Sequence, residues 1–224
     1  MKPVITMLNF RKFILVLSLC SCYVAWAGAQ IVPYSSRQIE ARYEEEIAAW
    51  RQREEAAFRN KETTLLSEEY FKNFTGLNYF PANLKYRVVG KLSRLATPKK
   101  MDLQLTDGTP YGFMHYGKVN FFLEGQEIEM VVFEFPSRKG PPAIFVPFTD
   151  MTTGEETFGG GRFLIIEVPD DNQIVIDFNM AINPICVYDP EHACPLSPKS
   201  NYIPLRIEAG AKMYYDPAEL SGRN

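Results

Sequence analysis

The chain has 224 residues, of which 46% are hydrophobic and 13% aromatic, and this composition is typical of one folded domain rather than of a disordered chain. Its net charge is -3 at pH 7, and no long run of lysine or arginine is present. These features argue against nucleic acid as a partner, because phosphate binding needs clustered basic side chains.

The first 29 residues have the features of an export signal. Arg11 and Lys12 supply a basic start, a short apolar run follows, and small residues end the segment at Ala29. We therefore expect cleavage after Ala29 and a single mature domain over residues 30–224. The apolar run is shorter than the ~20 residues of a membrane span, and no other segment is apolar enough to serve as one.

Lipidation is the alternative fate of this segment. The residues around Cys22 resemble a lipobox, and acylation of Cys22 would anchor the chain to a membrane surface. Either route takes the protein out of the cytoplasm, so we expect a periplasmic, surface-anchored or secreted protein.

Two helices are predicted before the first strand. The first, residues 37–59, places apolar side chains on one face, at Ile39, Tyr43, Ile47, Trp50 and Phe58. Ser35 and Gln38 have the spacing of a capping box at its start, and Ser67 caps a short second helix over residues 68–73. The long helix carries as many acids as bases, so we expect it to pack on a sheet rather than to bind a membrane surface or a separate partner.

The rest of the chain alternates short apolar runs with turn residues, which predicts β-strands. Turns are expected at Pro98, Glu124–Gln126 and Pro169–Asn172, and the last two would close hairpins. This pattern predicts an α+β fold with a mostly antiparallel sheet, arranged as a sandwich or partial barrel of short strands with the N-terminal amphipathic helix packed on it. The expected strands are residues 86–95, 101–105, 118–123, 128–135, 143–148, 163–168, 174–178 and 205–214.

Common catalytic motifs are absent from the sequence. It contains no G-x-S-x-G nucleophile elbow, no H-E-x-x-H zinc helix, no Walker loop and no dinucleotide-binding glycine fingerprint. We therefore predict no cofactor.

A run of three glycines, Gly159, Gly160 and Gly161, precedes Arg162. Glycines let backbone N–H groups approach a ligand, and arginine offers a planar fork for a carboxylate or phosphate. The run is therefore a candidate anion-binding site. The alternative is a glycine-rich turn that enters a strand, with Arg162 paired to an acid.

A candidate polar site centres on two aspartates that end predicted strands, Asp150 and Asp177. If those strands are neighbours, the two carboxylates could share a site for acid–base work or for a cation. The side chains of Arg162, Asn179 and Asn183 would complete such a site.

The competing interpretation of these residues is structural. The Asp150 carboxylate would cap the N–H groups of the turn at Thr152 or Thr153, and Asp177 would form an ion pair with Arg162. The amides of Asn179, Asn183 and Asn201 would tie down irregular backbone, since each offers two donors and one acceptor.

Cys186 and Cys194 are the remaining chemical feature, with seven residues between them. Outside the cytoplasm a disulfide is the expected state, and closing so short a loop would stabilise the fold by roughly 2–3 kcal/mol. Two alternatives are open. Cys186, His192 and Cys194 could bind zinc together with a nearby aspartate, or both thiols could be free.

Three blocks of this sequence resemble the family known as domain of unknown function 1684. They read FVPFTDMTTGEETFGGGRFL, DFNMAINPICVYDPEHACPLSP and AGAK, and the resemblance extends over roughly residues 47–212. It implies a shared fold and a shared polar cluster, without a known activity. The positions that match the family pattern are Asp150, Thr153, Gly154, Thr157, Gly161, Arg162, Asp177, Asn179, Asn183, Pro184, Cys186, Tyr188, Cys194, Pro195 and Asn201.

Four positions depart from the family pattern. Phe158 and Ile182 replace tyrosines, Ser197 replaces a proline and Ala211 replaces a glutamate. Three of these changes remove a polar group, so any chemistry that those groups perform in relatives would be missing here. His192 lies outside the pattern, which weakens the zinc alternative.

Two functional interpretations follow. The first is an exported binding or structural module without enzymatic activity, which is the prediction that we favour. The alternative is an extracytoplasmic enzyme or small anionic-ligand-binding protein, with its site at Asp150, Arg162, Asp177 and Asn183. An open pocket reached by at least three of these side chains would favour the alternative, whereas buried and mutually paired side chains would favour the first.

Overall fold

The computed structural model describes residues 35–135 and 141–214. The predicted export signal, its predicted cleavage site and Cys22 lie outside these residues, so export, signal cleavage and lipidation stay predictions.

In the part of the chain that the structure describes, two α-helices precede the sheet. Helix α1 spans Ser36–Arg59, one residue longer than predicted, and its capping box is present. The Ser35 N–H donates to Gln38 Oε1 at 2.9 Å, and the Gln38 N–H donates to Ser35 Oγ at 3.3 Å. Helix α2 spans Glu68–Lys72 and is capped by Ser67, as predicted. Within residues 35–135 and 141–214, neither helix is long and apolar enough to cross a membrane.

Seven strands form a curled sheet. Their spatial order is β5–β4–β3–β2–β1–β6, and β7 is added in parallel beside β4. All other neighbouring pairs are antiparallel, and the sheet closes into a nearly complete barrel. The predicted α+β class and partial barrel are confirmed. The strands are β1 Arg87–Gln104, β2 Pro110–Leu123, β3 Gln126–Phe135, β4 Ala143–Asp150, β5 Arg162–Glu167, β6 Gln173–Asp177 and β7 Tyr202–Ile203.

One predicted break in the strands is wrong. Residues 86–95 and 101–105 are not separate strands joined by a turn at Pro98, because both lie along the single long strand β1. The pairing of β1 with β2 instead shifts register between Arg94 and Lys99. Proline lacks the N–H that a ladder needs, and the register shift accommodates it without ending the strand.

Two further predictions near the C-terminus are also wrong. The turn at Pro169–Asn172 does not close a hairpin, because β5 pairs with β4 and β6 pairs with β1 at the other end of the sheet. The barrel closure that results buries Ile174 and Ile176 of β6. Residues 205–214 form no strand, because their backbone hydrogen bonds go to scattered partners, among them the backbone of Met151 and Ala181 and the side chain of Arg162, rather than along one neighbouring strand.

The main core fills the inside of the curled sheet. Leu92, Val119, Met130, Ile144 and Ile176 come from five different strands, and all are 2% exposed or less. A second, aromatic cluster that includes Phe133 and Phe145 lies on the outer face. The sheet thus has apolar side chains on both faces, and one part of its outer face stays open to solvent.

Candidate functional site

Arg162 and Asp150 form a buried ion pair. Their side chains are each 1% exposed, and Arg162 Nη2 lies 2.9 Å from Asp150 Oδ2. β4 and β5 are paired neighbours, which brings the end of one strand beside the start of the other. The structure therefore unites these two predicted site residues.

The remaining donors of Arg162 are directed at the chain that follows β7. Its Nη2 also donates to the Ile207 carbonyl at 2.9 Å, and its Nη1 donates to the carbonyls of Ala209 and Ala211. Burial lowers the pKa of Arg162, while the Asp150 carboxylate acts in the opposite direction. Arginine remains charged under these conditions, so the guanidinium holds three backbone carbonyls in place.

The Asp150 carboxylate is equally occupied. Its Oδ1 accepts the N–H groups of Thr152 at 2.7 Å and Ile207 at 3.2 Å. The predicted cap at Thr152 is confirmed. Both contacts of Oδ1 thus support backbone, one in the turn and one in the C-terminal segment, while Oδ2 pairs with Arg162.

Asp177 lies in a different network. Its carboxylate accepts the Tyr43 hydroxyl at 2.8 and 2.9 Å, and Oδ2 lies 3.4 Å from Arg87 Nε. The predicted ion pair between Asp177 and Arg162 is therefore wrong, because β6 pairs with β1 and carries Asp177 beside Arg87. Sequence reasoning also missed Tyr43, since no local signal links it to a residue 134 positions away.

The three predicted asparagines bind backbone at three separate places. Asn179 exchanges two hydrogen bonds with the backbone of Asn83, at 2.8 and 2.9 Å. Asn183 donates to the Lys212 carbonyl at 2.7 Å. Asn201 bridges two strands, because its amide donates to the carbonyls of Val131 on β3 and Pro147 on β4. The predicted role of these amides in tying down irregular backbone is confirmed.

The glycine run makes a turn into β5. Gly161 has a φ of +94°, and a Cβ there would lie 2.5 Å from the Phe148 carbonyl oxygen. Gly159 by contrast faces open space. Glycine is therefore needed at Gly161 for steric reasons. The guanidinium of Arg162, which the predicted anion site would require, is already bonded to acceptors within the protein.

Cys186 and Cys194 lie next to each other with free thiols, so the disulfide stays a prediction. The Cys186 N–H donates to Cys194 Sγ at 3.0 Å. A hydrogen bond between the two thiols raises the pKa of Cys186 and lowers the pKa of Cys194.

The zinc alternative at Cys186, His192 and Cys194 does not assemble. His192 Nδ1 lies 3.1 Å from Asp189 Oδ2 instead. Across the described ranges 35–135 and 141–214, no three side chains among His, Cys, Asp and Glu are grouped to hold a metal ion.

Four cavities open on the surface of the described residues. Their volumes are about 300, 460, 540 and 750 Å³. Within the part of the chain that the structure describes, none of the four is lined by Asp150, Arg162, Asp177 or Asn183. The largest is a shallow groove on the outer face of β1 and β2, which includes Val89, Lys91, Phe122 and Glu127.

Comparison with known proteins gives a family and a fold without an activity. A family model described as protein of unknown function (DUF1684) matches residues 72–212, which is more than half of the chain. None of the curated proteins compared matches this chain. A solution NMR structure of an uncharacterised protein from Haloarcula marismortui is 30% identical, with a TM-score of 0.61 over 77% of this chain and 95% of that one. The chain therefore belongs to the DUF1684 family of proteins of unknown function.

Proposed function

We propose that this protein is a non-enzymatic module that acts outside the cytoplasm and binds a second copy of itself through an open face of its sheet. The observation that carries the proposal is a row of three exposed apolar side chains on adjacent strands. Val175, Val89 and Phe122 are 42%, 65% and 66% exposed. The leader-like N-terminus supports the location.

The strand register makes these three side chains direct neighbours. Val89 lies opposite Val175. Gly90 lies opposite Phe121, so the same register continued by one residue sets Val89 beside Phe122. Neighbouring strands are about 4.8 Å apart, so the row is one continuous apolar stripe. Contiguous exposed apolar surface, unlike scattered single residues, is typical of an interaction site.

Charges beside the row indicate what binds there. Lys91 lies two residues beyond Val89 on β1, and Glu127 lies opposite Phe122 on β3. Both are exposed, and neither has an ion-pair partner among the described residues. A face with one unpaired base and one unpaired acid is complementary to itself, as a two-fold interface requires.

A two-fold axis between Val89 and Phe122 satisfies both features. It lays Val89 of each copy on Phe122 of the other, and it brings Lys91 towards Glu127 of the other copy. The contact is small beside the roughly 800 Å² per partner of a standard interface. We therefore expect a weak dimer, with a Kd in the micromolar range or above.

The alternative function, an enzyme or anion-binding protein, requires side chains that can reach a ligand. Arg162 is 1% exposed and bonds to Asp150 and to three carbonyls. Asp177 bonds to Tyr43 in a separate network. These contacts favour the architectural role of the polar residues.

Analytical ultracentrifugation of the purified protein tests the proposal. Phe122→Ser should weaken self-association at least about tenfold, because it removes most of the apolar contact. Tyr111→Ser is the matched control, since Tyr111 is 59% exposed on the same strand but lies eleven residues from Phe122, so its loss should leave the Kd unchanged.

Reversing the charge of Lys91 or of Glu127 tests whether these two residues face each other across the interface. Lys91→Glu and Glu127→Lys should each weaken self-association, because like charges then face each other. A mixture of the two single variants should associate, since every facing pair is again opposite in charge. A wild-type protein that stays monomeric up to about 1 mM, or a mixture no tighter than its components, overturns the proposal.

A further inference from the structure

The cysteine pair is asymmetric in a way that a merely structural disulfide does not require. Cys186 is partly exposed, whereas Cys194 is 1% exposed. The Cys186 N–H points at Cys194 Sγ from 3.0 Å. One sulfur is thus open to an incoming reagent, and the other has a donor positioned to stabilise negative charge on it.

We propose that Cys186 and Cys194 form a redox-active pair, whose disulfide is opened and closed by exchange with a dithiol oxidoreductase that attacks at Cys186. Thiol–disulfide exchange depends on which sulfur is accessible and on how well the departing sulfur carries charge. Cys186 meets the first condition and Cys194 meets the second.

Reduction of the disulfide takes two exchange steps. A thiolate of the oxidoreductase attacks Cys186 Sγ and forms a mixed disulfide. The bond between Cys186 and Cys194 breaks, and its electron pair leaves on Cys194 Sγ, where the Cys186 N–H stabilises it. The second thiolate of the oxidoreductase then attacks its own sulfur in the mixed disulfide and releases Cys186. The oxidoreductase dithiol has lost two electrons and two protons, and this protein has gained them.

The pair lies between two parts of the fold, so its state has a structural effect. The Cys194 backbone bonds to Thr106 in both directions, at 2.9 and 3.1 Å, in the loop between β1 and β2. Cys186 precedes Tyr188, which packs against Phe58 of α1, and the Tyr188 carbonyl accepts the N–H of Ser67 beside α2. A closed disulfide would therefore join covalently the segment that is hydrogen-bonded to the β1–β2 loop and the segment that packs against the helices.

Trapping the mixed disulfide tests the proposal on the wild-type protein. The purified protein is oxidised and then mixed with a thioredoxin variant that retains only its attacking cysteine. Peptide mass mapping should find the adduct on Cys186 and none on Cys194. In a glutathione buffer that leaves an ordinary structural disulfide closed, the pair should open, as read by alkylation and intact mass.

Two single variants provide the control. Cys194→Ser leaves the exposed thiol and should form the mixed disulfide with glutathione disulfide at least about tenfold faster than Cys186→Ser, which leaves only the buried one. An adduct mapped to Cys194, a disulfide that stays closed in the same buffer, or failure of the wild-type pair to oxidise each overturns the proposal. These outcomes can be read from the wild-type protein even if a variant does not fold.

Discussion

Arg162 shows how a side chain suited to bind anions is used for architecture. Its guanidinium is fully enclosed by one carboxylate and three carbonyls. Taking a charge out of water is costly, and removing one partner of a buried pair exposes that cost. The Arg162–Asp150 ion pair therefore fixes the position of the C-terminal segment. Its removal should lower the stability of the fold rather than weaken the binding of a ligand.

We predict that Arg162→Met lowers the free energy of unfolding by about 3–5 kcal/mol, because it leaves the Asp150 charge buried and unpaired. Arg206→Met is the matched control, because it removes the same side chain from ion pairs at the surface. Arg206 is partly exposed and lies near Glu155, Glu156 and Glu208, and surface ion pairs contribute less than about 1 kcal/mol each. Urea unfolding at neutral pH measures the free energy of unfolding of both variants. Equal losses in the two variants would contradict this account of Arg162.

The three glycines of the turn before β5 differ in what a side chain would meet, and Gly161 and Gly159 are the two extremes. Gly161→Ala should destabilise the protein by about 1–3 kcal/mol, since its positive φ and the Phe148 carbonyl leave no place for a Cβ. Gly159→Ala should change stability by less than about 0.5 kcal/mol, because nothing lies within 4 Å of its Cβ. Thermal unfolding compares them, and a larger effect at Gly159 would show that the turn is held in another way.

Sequence reasoning succeeded where the determining contacts are local. The capping box joins Ser35 to Gln38, and the Asp150 cap reaches only to Thr152, so short-range spacing reveals both. Strand positions also follow from local alternation of apolar and polar residues.

Sequence reasoning failed where distant pairing decides the outcome. Which strand β6 joins depends on closure of the whole sheet, and that choice sends Asp177 to Tyr43 rather than to Arg162. The segment 205–214 carries the apolar residues that are typical of a strand, and several of them are buried. Its backbone, however, bonds to several separate segments and to the Arg162 side chain rather than along one continuous ladder.

Tyrosines with raised pKa values should lower the free energy of unfolding of the protein in alkali. Burial raises the pKa of Tyr43, Tyr79 and Tyr188 above the ordinary value of 10.0. These groups leave stability unchanged below that pH. Above it the unfolded chain releases their protons first, so the free energy of unfolding falls as pH rises, by up to ~1.4 kcal/mol per pH unit for each group.

Urea unfolding between pH 8 and roughly pH 11 measures this slope. Tyr79→Phe should make the slope shallower by one tyrosine's share. Tyr111→Phe should leave it unchanged, since Tyr111 is 59% exposed. Identical slopes in all three proteins would show that buried tyrosines do not govern the alkaline limit.

The length of the connection between β5 and β6 limits how far apart the two edge strands of the barrel can lie. Five residues, 168–172, join the two outermost strands of the main order. An extended chain covers at most about 3.6 Å per residue, so Glu167 and Gln173, six residues apart in sequence, are separated by no more than about 22 Å. A flat sheet in this order would separate those strands by about 24 Å, at five spacings of roughly 4.8 Å. The length of one loop thus imposes curvature before any side chain packs, and a longer loop would release that constraint while leaving every strand pair intact.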